Sequence, residues 1–410
     1  MHIAELQSAN GRRWLAAGMS RGRGLPTDAA ATLHDVVAPD AGAILVLEDH
    51  LRDDCEGSLA ALWPDVAEGE STFIVLVPRD VSPAVDPHYG RPVGSFLCSP
   101  DVISAFLDLH PDCWAETLLF AMLRAIAAGT LAVDRLLVRQ IPAAPRAGAH
   151  CAVPKAVLVP HRGDPLHLCA ALRYLSRARG NGVSIHVGLD VDEPDAYDGV
   201  IREHRAVKFF RSDPAPVGPY VIRQELAERS SEPLICLQDS DDLSCYDRFD
   251  VLGAALAEDG CGMVGSHELC LDEMRGVVHP VRYPLDASDA LRRWPNHALL
   301  HGTLMARRDA FFDSGGLSTH LPIASDTQFL LRAWFSMKMR NVDEFLYIRR
   351  RHPTSLTNAP ETIYDNPLRR SLNAQWTADF EAIKRGELKL EESSLWPVRR
   401  SEPYRLEPVG

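Results

Sequence analysis

From residue 156 to residue 260 short apolar runs alternate with helix-length segments, and this alternation limits the fold more than any other feature. Ala156–Val159, Val183–Val187, Val207–Phe210 and Leu234–Leu237 read as buried strands. Pro165–Ala178, Tyr220–Ser230 and Tyr246–Glu258 read as helices, the last stopped by Gly260. Strands separated by helices pair in parallel, which predicts an α/β fold with a mostly parallel, Rossmann-like sheet. In such sheets ligands bind beyond the carboxyl ends of the strands. Leu234–Leu237 runs straight into Gln238-Asp239-Ser240-Asp241-Asp242, so a buried strand delivers three carboxylates to its exposed tip.

The chain has 410 residues, enough for two domains. Ile141–Pro154, rich in Pro, Ala and Gly, reads as a linker. It divides an N-terminal α/β domain (1–145) from a domain at 151–360, followed by a helical or irregular extension (361–410). The first part carries apolar runs at Ile44–Leu47 and Phe73–Val77 and helical patterns at Asp101–Leu109 and Trp114–Ala127. It offers no catalytic constellation; Asp49-His50 reads as surface or capping chemistry. Thr117–Val133 is the most apolar stretch, but Arg124 interrupts it, so it reads as a core-facing helix and not a membrane span.

A formal charge of -13, with no long basic run to offset it, argues against a double-stranded nucleic acid partner. Arg349, Arg350 and Arg351 suit one small anionic ligand instead. Nine cysteines, none in a C-x-x-C pair, give neither a zinc ribbon nor a complete disulfide framework. With no apolar signal-peptide core in the first residues, a cytoplasmic setting is expected.

Carboxylates clustered at a strand tip suit a hard divalent cation, Mn²⁺ or Mg²⁺, that shares its shell with substrate phosphates. The competing reading is that these aspartates cap the helix that follows. Ser325-Asp326-Thr327-Gln328 opens an amphipathic helix, with Ser325 and Gln328 spaced as a capping box. Asp326 is therefore either a helix-start acid or a proton acceptor held beside a cleft.

Taken together, these segments resemble family 2 glycosyltransferases of the GT-A fold, in the expected order over about half the chain. Leu158-Val159-Pro160-His161-Arg162 looks like their first strand and loop, Gly188-Leu189-Asp190 like the second strand, and Gly218-Pro219-Tyr220 with Arg223 and Gln224 like the helix after the third. Gln238–Asp242 is similar to their metal and ribose motif, and His301-Gly302-Thr303 through Gly315-Gly316-Leu317 to their acceptor and sugar segment. Ser325-Asp326 stands where an acidic pair is usual, and Arg350–Thr357 looks like the loop that closes over the diphosphate.

The resemblance implies an inverting, metal-dependent hexosyl transfer from a nucleotide-sugar, commonly a UDP-sugar, to an acceptor hydroxyl. It implies Asp326 as the base. Pro160, His161, Arg162, Asp190, Arg223, Gln224, Asp239 and Arg351 would meet the donor, and Gly302, Gly315 and Gly316 the transferred sugar or acceptor. Asp241, Asp242 and His352 would hold the metal, with the division of Asp239, Asp241 and Asp242 between metal and ribose left open. Two departures touch the nucleotide pocket: Pro-His-Arg-Gly stands for Pro-Thr-Tyr-Asn, and Asp190-Val191-Asp192 lacks the usual Asp-Asp-Gly-Ser. Residues 1–150 lie outside the resemblance; selecting the acceptor, docking a partner enzyme or stabilising a homo-oligomer are the roles open to them. A nucleotidyltransferase would want a Gly-rich loop after the first strand, and a phosphatase would not have Leu243 at the fifth position of its aspartate motif. A sugar-nucleotide-binding scaffold without turnover is the reading from another class.

Overall fold

The computed structural model describes residues 43–409 apart from 49–50, 52–57, 59–60, 67–68, 80–90, 111–112, 114, 144–149, 179–181, 258–259, 296, 359–362 and 364–365; before residue 43 it describes the backbone of three short strands. The Asp49-His50 pair and the middle of the Ile141–Pro154 segment fall outside those residues.

Seven strands make the first sheet: β1 (Ile3–Gln7), β2 (Arg13–Met19), β3 (Ala29–Ala30), β4 (Ala43–Glu48), β5 (Thr72–Pro78), β6 (Phe96–Cys98) and β7 (Arg135–Ile141). Their order is β3-β1-β2-β4-β6-β5-β7, antiparallel except for β1/β3 and β5/β7. Two helices, α1 (Pro100–Leu109) and α2 (Ala115–Ala127), carry the chain from β6 to β7. The apolar stretch around α2 is a core helix: Leu118, Leu119, Met122, Leu123 and Ile126 are buried. Among the described residues no helix is long and apolar enough to cross a membrane.

The second sheet holds β8 (Lys155–His161), β9 (Val183–Leu189), β10 (Lys208–Asp213), β11 (Leu234–Leu237), β12 (Leu243–Ser244), β13 (Cys261–Asp272), β14 (Val277–Val281), β15 (Met305–Arg307), β16 (Lys338–Arg351) and β17 (Arg405–Val409). Its order is β12-β16-β13-β15-β11-β8-β9-β10-β17, with β14 beside β13. The centre, β10-β9-β8-β11, is parallel, as the alternation predicts. The connections are α3 (Pro165–Arg177), α4 (Asp198–Glu203) and α5 (Pro219–Arg229), with α6 (Arg248–Leu256) following the acidic turn. Beyond that centre the sheet is mixed, because β15 and β17 pair antiparallel with its two edges. This is an α/β, Rossmann-like fold with a mixed sheet. The chain leaves β8 toward β9 on one side and returns to its other side as β11, so the order reverses between β8 and β11. Crevices form at such a reversal, outside the carboxyl ends of the strands.

The two sheets share one core. Phe73, Val75, Phe96, Met122 and Leu123 belong to the same buried cluster as Leu243, Leu269, Leu271, Phe345 and Ile348. Polar contacts add to it: Gln140 Nε2 donates to the Asp343 carbonyl at 2.7 Å, and Arg139 pairs with Asp247 at 2.9 Å. After α7 (Ser325–Ala333) and α8 (Pro367–Lys384), the tail returns as β17, which covers the edge of β10. Pro408 sits on this outermost strand, where a residue without an N–H costs no ladder bond.

Candidate active site

The acidic turn after β11 is held from below. Gln238 is fully buried; its Nε2 donates to the carbonyls of Asp239 (2.8 Å) and Asp242 (3.0 Å). Its Oε1 accepts from Arg248 Nη1 at 2.6 Å. Arg248, also fully buried, donates through Nη2 to the Leu237 and Gly302 carbonyls at 2.8 and 2.7 Å and lies over the Tyr347 ring. One buried guanidinium thus ties the strand tip, the turn and the segment around Gly302 together. Nothing in the sequence sets Arg248 apart from other helix-start arginines.

The three aspartates point in different directions. Asp239 pairs with Arg223, and its backbone N–H donates to the Tyr347 hydroxyl at 3.2 Å. Asp241 meets His352: Oδ2 and Nε2 are 2.8 Å apart. Asp242 is turned inward and buried, where Oδ1 accepts the Arg350 N–H at 2.7 Å. Burial, with Asp241 and Asp239 close by, pushes its carboxyl well above the usual range. Through that bond Asp242 braces the turn against β16.

Asp326, far away in sequence, reaches the same place. It lies in the first turn of α7, 9% exposed, and Oδ1 accepts from the Tyr220 hydroxyl at 2.9 Å. The helix start differs from the expected capping box. Ala324 is the N-cap, in a left-handed conformation with φ 63°, and the Ser325 hydroxyl donates to the Ser318 carbonyl instead. Gln328 Nε2 donates to the Ser394 carbonyl. A non-glycine residue at positive φ is strained, and such strain gathers where the surrounding structure fixes a functional group.

His301 joins the two acidic segments. Its Nε2 is 3.4 Å from Asp239 Oδ2 and its Nδ1 is 3.1 Å from Asp326 Oδ2. The Nδ1 contact is an ion pair off the line of a hydrogen bond, which leaves that buried nitrogen without a hydrogen-bond partner. Burial opposes the imidazolium, but the two carboxylates outweigh it and raise the His301 pKa to about 9. Conversely, despite burial, His301 holds Asp326 well below the usual carboxylate range, and Arg223 with His301 does the same for Asp239. A small cavity lies against this cluster; Tyr220, Arg223, His301 and Asp326 are among the residues around it, and its exposed wall is apolar.

The remaining expected residues divide into two groups. His161, at the end of β8, is buried beside the acidic turn: Nδ1 contacts Ser240 Oγ at 2.8 Å and Nε2 the Tyr197 hydroxyl at 3.1 Å. Burial lowers its pKa to about 4, so the ring is neutral at pH 7. Pro160 is buried in β8 and Arg162 is exposed in the loop that follows. Gln224 is buried behind the cleft; its Oε1 accepts the Leu317 N–H at 2.8 Å, and Nε2 donates to Glu228.

Two glycines are required by close approach. A Cβ on Gly302 would lie 2.8 Å from the Tyr347 hydroxyl, and one on Gly316 (φ 63°) would lie 2.5 Å from Gln224 Oε1. Gly315 shares the Gly316 turn, and its carbonyl accepts from Arg399. These contacts give the Gly315-Gly316 turn a packing role.

Asp190 and Arg351 are spoken for elsewhere. Asp190 is buried and accepts the Ser212 hydroxyl and the Val217 and Gly218 N–H groups at 2.7–2.8 Å, so it fastens the loop after β10. Arg351 contacts Asp272 at 3.4 Å, Arg350 pairs with Glu273 at 2.8 Å and Arg349 with Glu268 at 3.0 Å. These arginines end the long strand β16; they do not lie in a loop, and each faces an acid. His352, just after the strand, does turn to the site, with its ring edge-on to His167 at 5.2 Å.

Asp241 and His352 offer an oxygen and a nitrogen to a divalent cation. Among the described residues no third His, Cys, Asp or Glu ligand atom joins them within 4.8 Å. The donor set fits a cation such as Mn²⁺ or Mg²⁺ that takes few protein ligands and completes its shell with substrate phosphates and water.

No family model matches the chain, and no curated protein matches it. Similar solved structures include S. aureus TarS 1-349 in complex with UDP-GlcNAc, at TM-score 0.43 and 14% identity over 60% of this chain and 78% of that one. The same protein in complex with UDP gives TM-score 0.42 and 14% identity over 58% and 77%. S. aureus TarS gives TM-score 0.42 and 16% identity over 56% and 43%. Likeness of this size assigns no family.

Proposed function

We propose that this chain is an inverting, metal-dependent glycosyltransferase that moves a sugar from a nucleotide-sugar to an acceptor hydroxyl. The observation that carries the reading is the meeting of Asp239 and Asp326 on His301, beside Asp241 and at the reversal point of the sheet. Donor and acceptor chemistry need one cleft, and a nucleotide diphosphate needs cationic partners there. Arg223 and His301 supply fixed positive charge next to the acids. Asp241 with His352 would hold the divalent cation, which when bound neutralises charge developing on the diphosphate leaving group.

Asp326 is the proton acceptor in this reading. His301 and Tyr220 keep it ionised, which makes it a weak base. A weak base suffices because the attacking hydroxyl grows acidic as its oxygen bonds to the anomeric carbon. His301 then acts as the positioning group between donor side and acceptor side. UDP-sugars are the donors to try first, on the strength of the sequence resemblance. The competing reading is a binding module without turnover, favoured by the ion pairs that already occupy Asp326. A thermal-shift screen of nucleotide-sugars tests donor use: at saturating donor with Mn²⁺ the Tm rises, and omission of the metal reduces the shift. A flat response to every nucleotide-sugar, with and without metal, overturns the proposal.

A further inference from the structure

Between α3 and α4 lies a group of side chains that the proposed reaction does not use. Among the described residues, Cys169, Glu203 and His204 are the one set of three metal-ligating side chains whose donor atoms all lie within 4.8 Å of each other. Cys169 is in the second turn of α3; Glu203 is the last residue of α4 and His204 its C-cap. Cys169 Sγ is 3.4 Å from Glu203 Oε2 and 3.7 Å from His204 Nε2, and His204 Nε2 is 3.9 Å from Glu203 Oε1. Ideal tetrahedral zinc bond lengths to sulfur, nitrogen and oxygen give edges of about 3.4–3.6 Å between such ligands. The spacings depart from those edges by about half an ångström or less, but they reach different Glu203 oxygens, so the carboxylate must turn for one oxygen to meet both partners.

We propose that Cys169, Glu203 and His204 form a zinc site that clamps α4 onto α3, with water as the fourth ligand. The protonation states support this. Burial lowers the His204 pKa, which leaves the imidazole neutral and able to ligate. Burial and Glu203 raise that of Cys169, so without metal it stays a thiol, and binding releases its proton to solvent. One nearby cation opposes the site: Arg173 Nη2 is 3.8 Å from Glu203 Oε1 and must give up part of that contact. Its side chain is 25% exposed and can turn to solvent. The clamp has a consequence for the cleft. Tyr197, immediately before α4, contacts His161, so fixing α4 steadies the wall that carries His161. The zinc site itself stands whether or not the cleft transfers sugars.

Cobalt is the probe, added to the full chain at neutral pH. One equivalent is expected to give a near-ultraviolet thiolate-to-cobalt band that zinc bleaches. The band should vanish in Cys169→Ser, weaken in Glu203→Gln, and survive in Asp241→Asn, which separates it from the cleft. A wild-type measurement guards against misfolding: zinc should slow alkylation of Cys169 at least about tenfold, because the metal occupies the sulfur lone pair that attacks. Cys113, another half-buried thiol, serves as the internal control. No band at excess cobalt, an undiminished band in Cys169→Ser, or unchanged alkylation with zinc overturns the site.

Discussion

His301 binds a proton that the unfolded chain would release, and this makes its bridging role measurable without any substrate. Its pKa rises from 6.5 to about 9 because Asp239 and Asp326 flank it. A raised pKa contributes stability that is complete below pH 6.5 and is lost as pH climbs through 9. The whole shift corresponds to about 3 kcal/mol, of which about 2 kcal/mol disappears between pH 6.5 and 8.5. One other group slopes the same way: the buried Asp242 carboxyl, held well above the usual range, keeps a proton that the unfolded chain releases, and His301→Gln leaves that contribution in place. His161 and His267, both depressed to about 4, act below pH 6.5. The buried thiols Cys236 and Cys270, pushed up to about 12, act from about pH 9, where an unfolded thiol ionises. Urea unfolding at half-unit steps from pH 6.5 to 8.5 reads the slope, and His301→Gln should reduce it by about 2 kcal/mol over that span. Equal slopes in the two proteins, or a His301 imidazole resonance that titrates near 6.5, would refute the bridge.

Two further substitutions test neighbouring parts of the account. Gly316→Ala puts a methyl 2.5 Å from Gln224 Oε1 at positive φ, and should cost about 1–3 kcal/mol in urea unfolding; an unchanged midpoint contradicts the packing argument. Arg351→Ala removes a contact to the buried Asp272, which keeps the Met274 and Arg275 N–H groups, and should cost about 1–3 kcal/mol with donor binding retained. A large loss of donor binding in that variant would place Arg351 at the donor.

The sheet was legible because its signal is local. Leu234–Leu237 appears unchanged as β11, and Ala156–Val159 and Val183–Val187 each sit inside a strand two or three residues longer. Convergence was legible only as an expectation, since Asp239 and Asp326 meet through His301, a residue quoted within a segment but given no task. The signal available was a histidine directly before Gly302, the glycine that lets Tyr347 approach. The partners of Arg349–Arg351 were hidden for the opposite reason. A basic triplet reads as an anion site until β13 and its following turn place Glu268, Asp272 and Glu273 alongside, roughly eighty residues away in sequence. The capping box failed because Ala324 takes the left-handed turn and frees Ser325 to bond elsewhere, a choice that tertiary packing makes. Nor could periodicity reveal β17, five residues with a proline, which is a strand because the edge of β10 is there to receive it.

The central claim is that Asp239, Asp241 and Asp326 serve one reaction. Its most direct measurement is sugar transfer or donor hydrolysis from a UDP-sugar panel with Mn²⁺, by the wild-type protein and by Asp326→Asn, with donor binding followed in parallel by calorimetry. The account predicts turnover in the wild type, and in the variant a loss of about 10²-fold or more with binding kept. Equal turnover in both proteins, or binding by the wild type with no turnover of any donor, would contradict it.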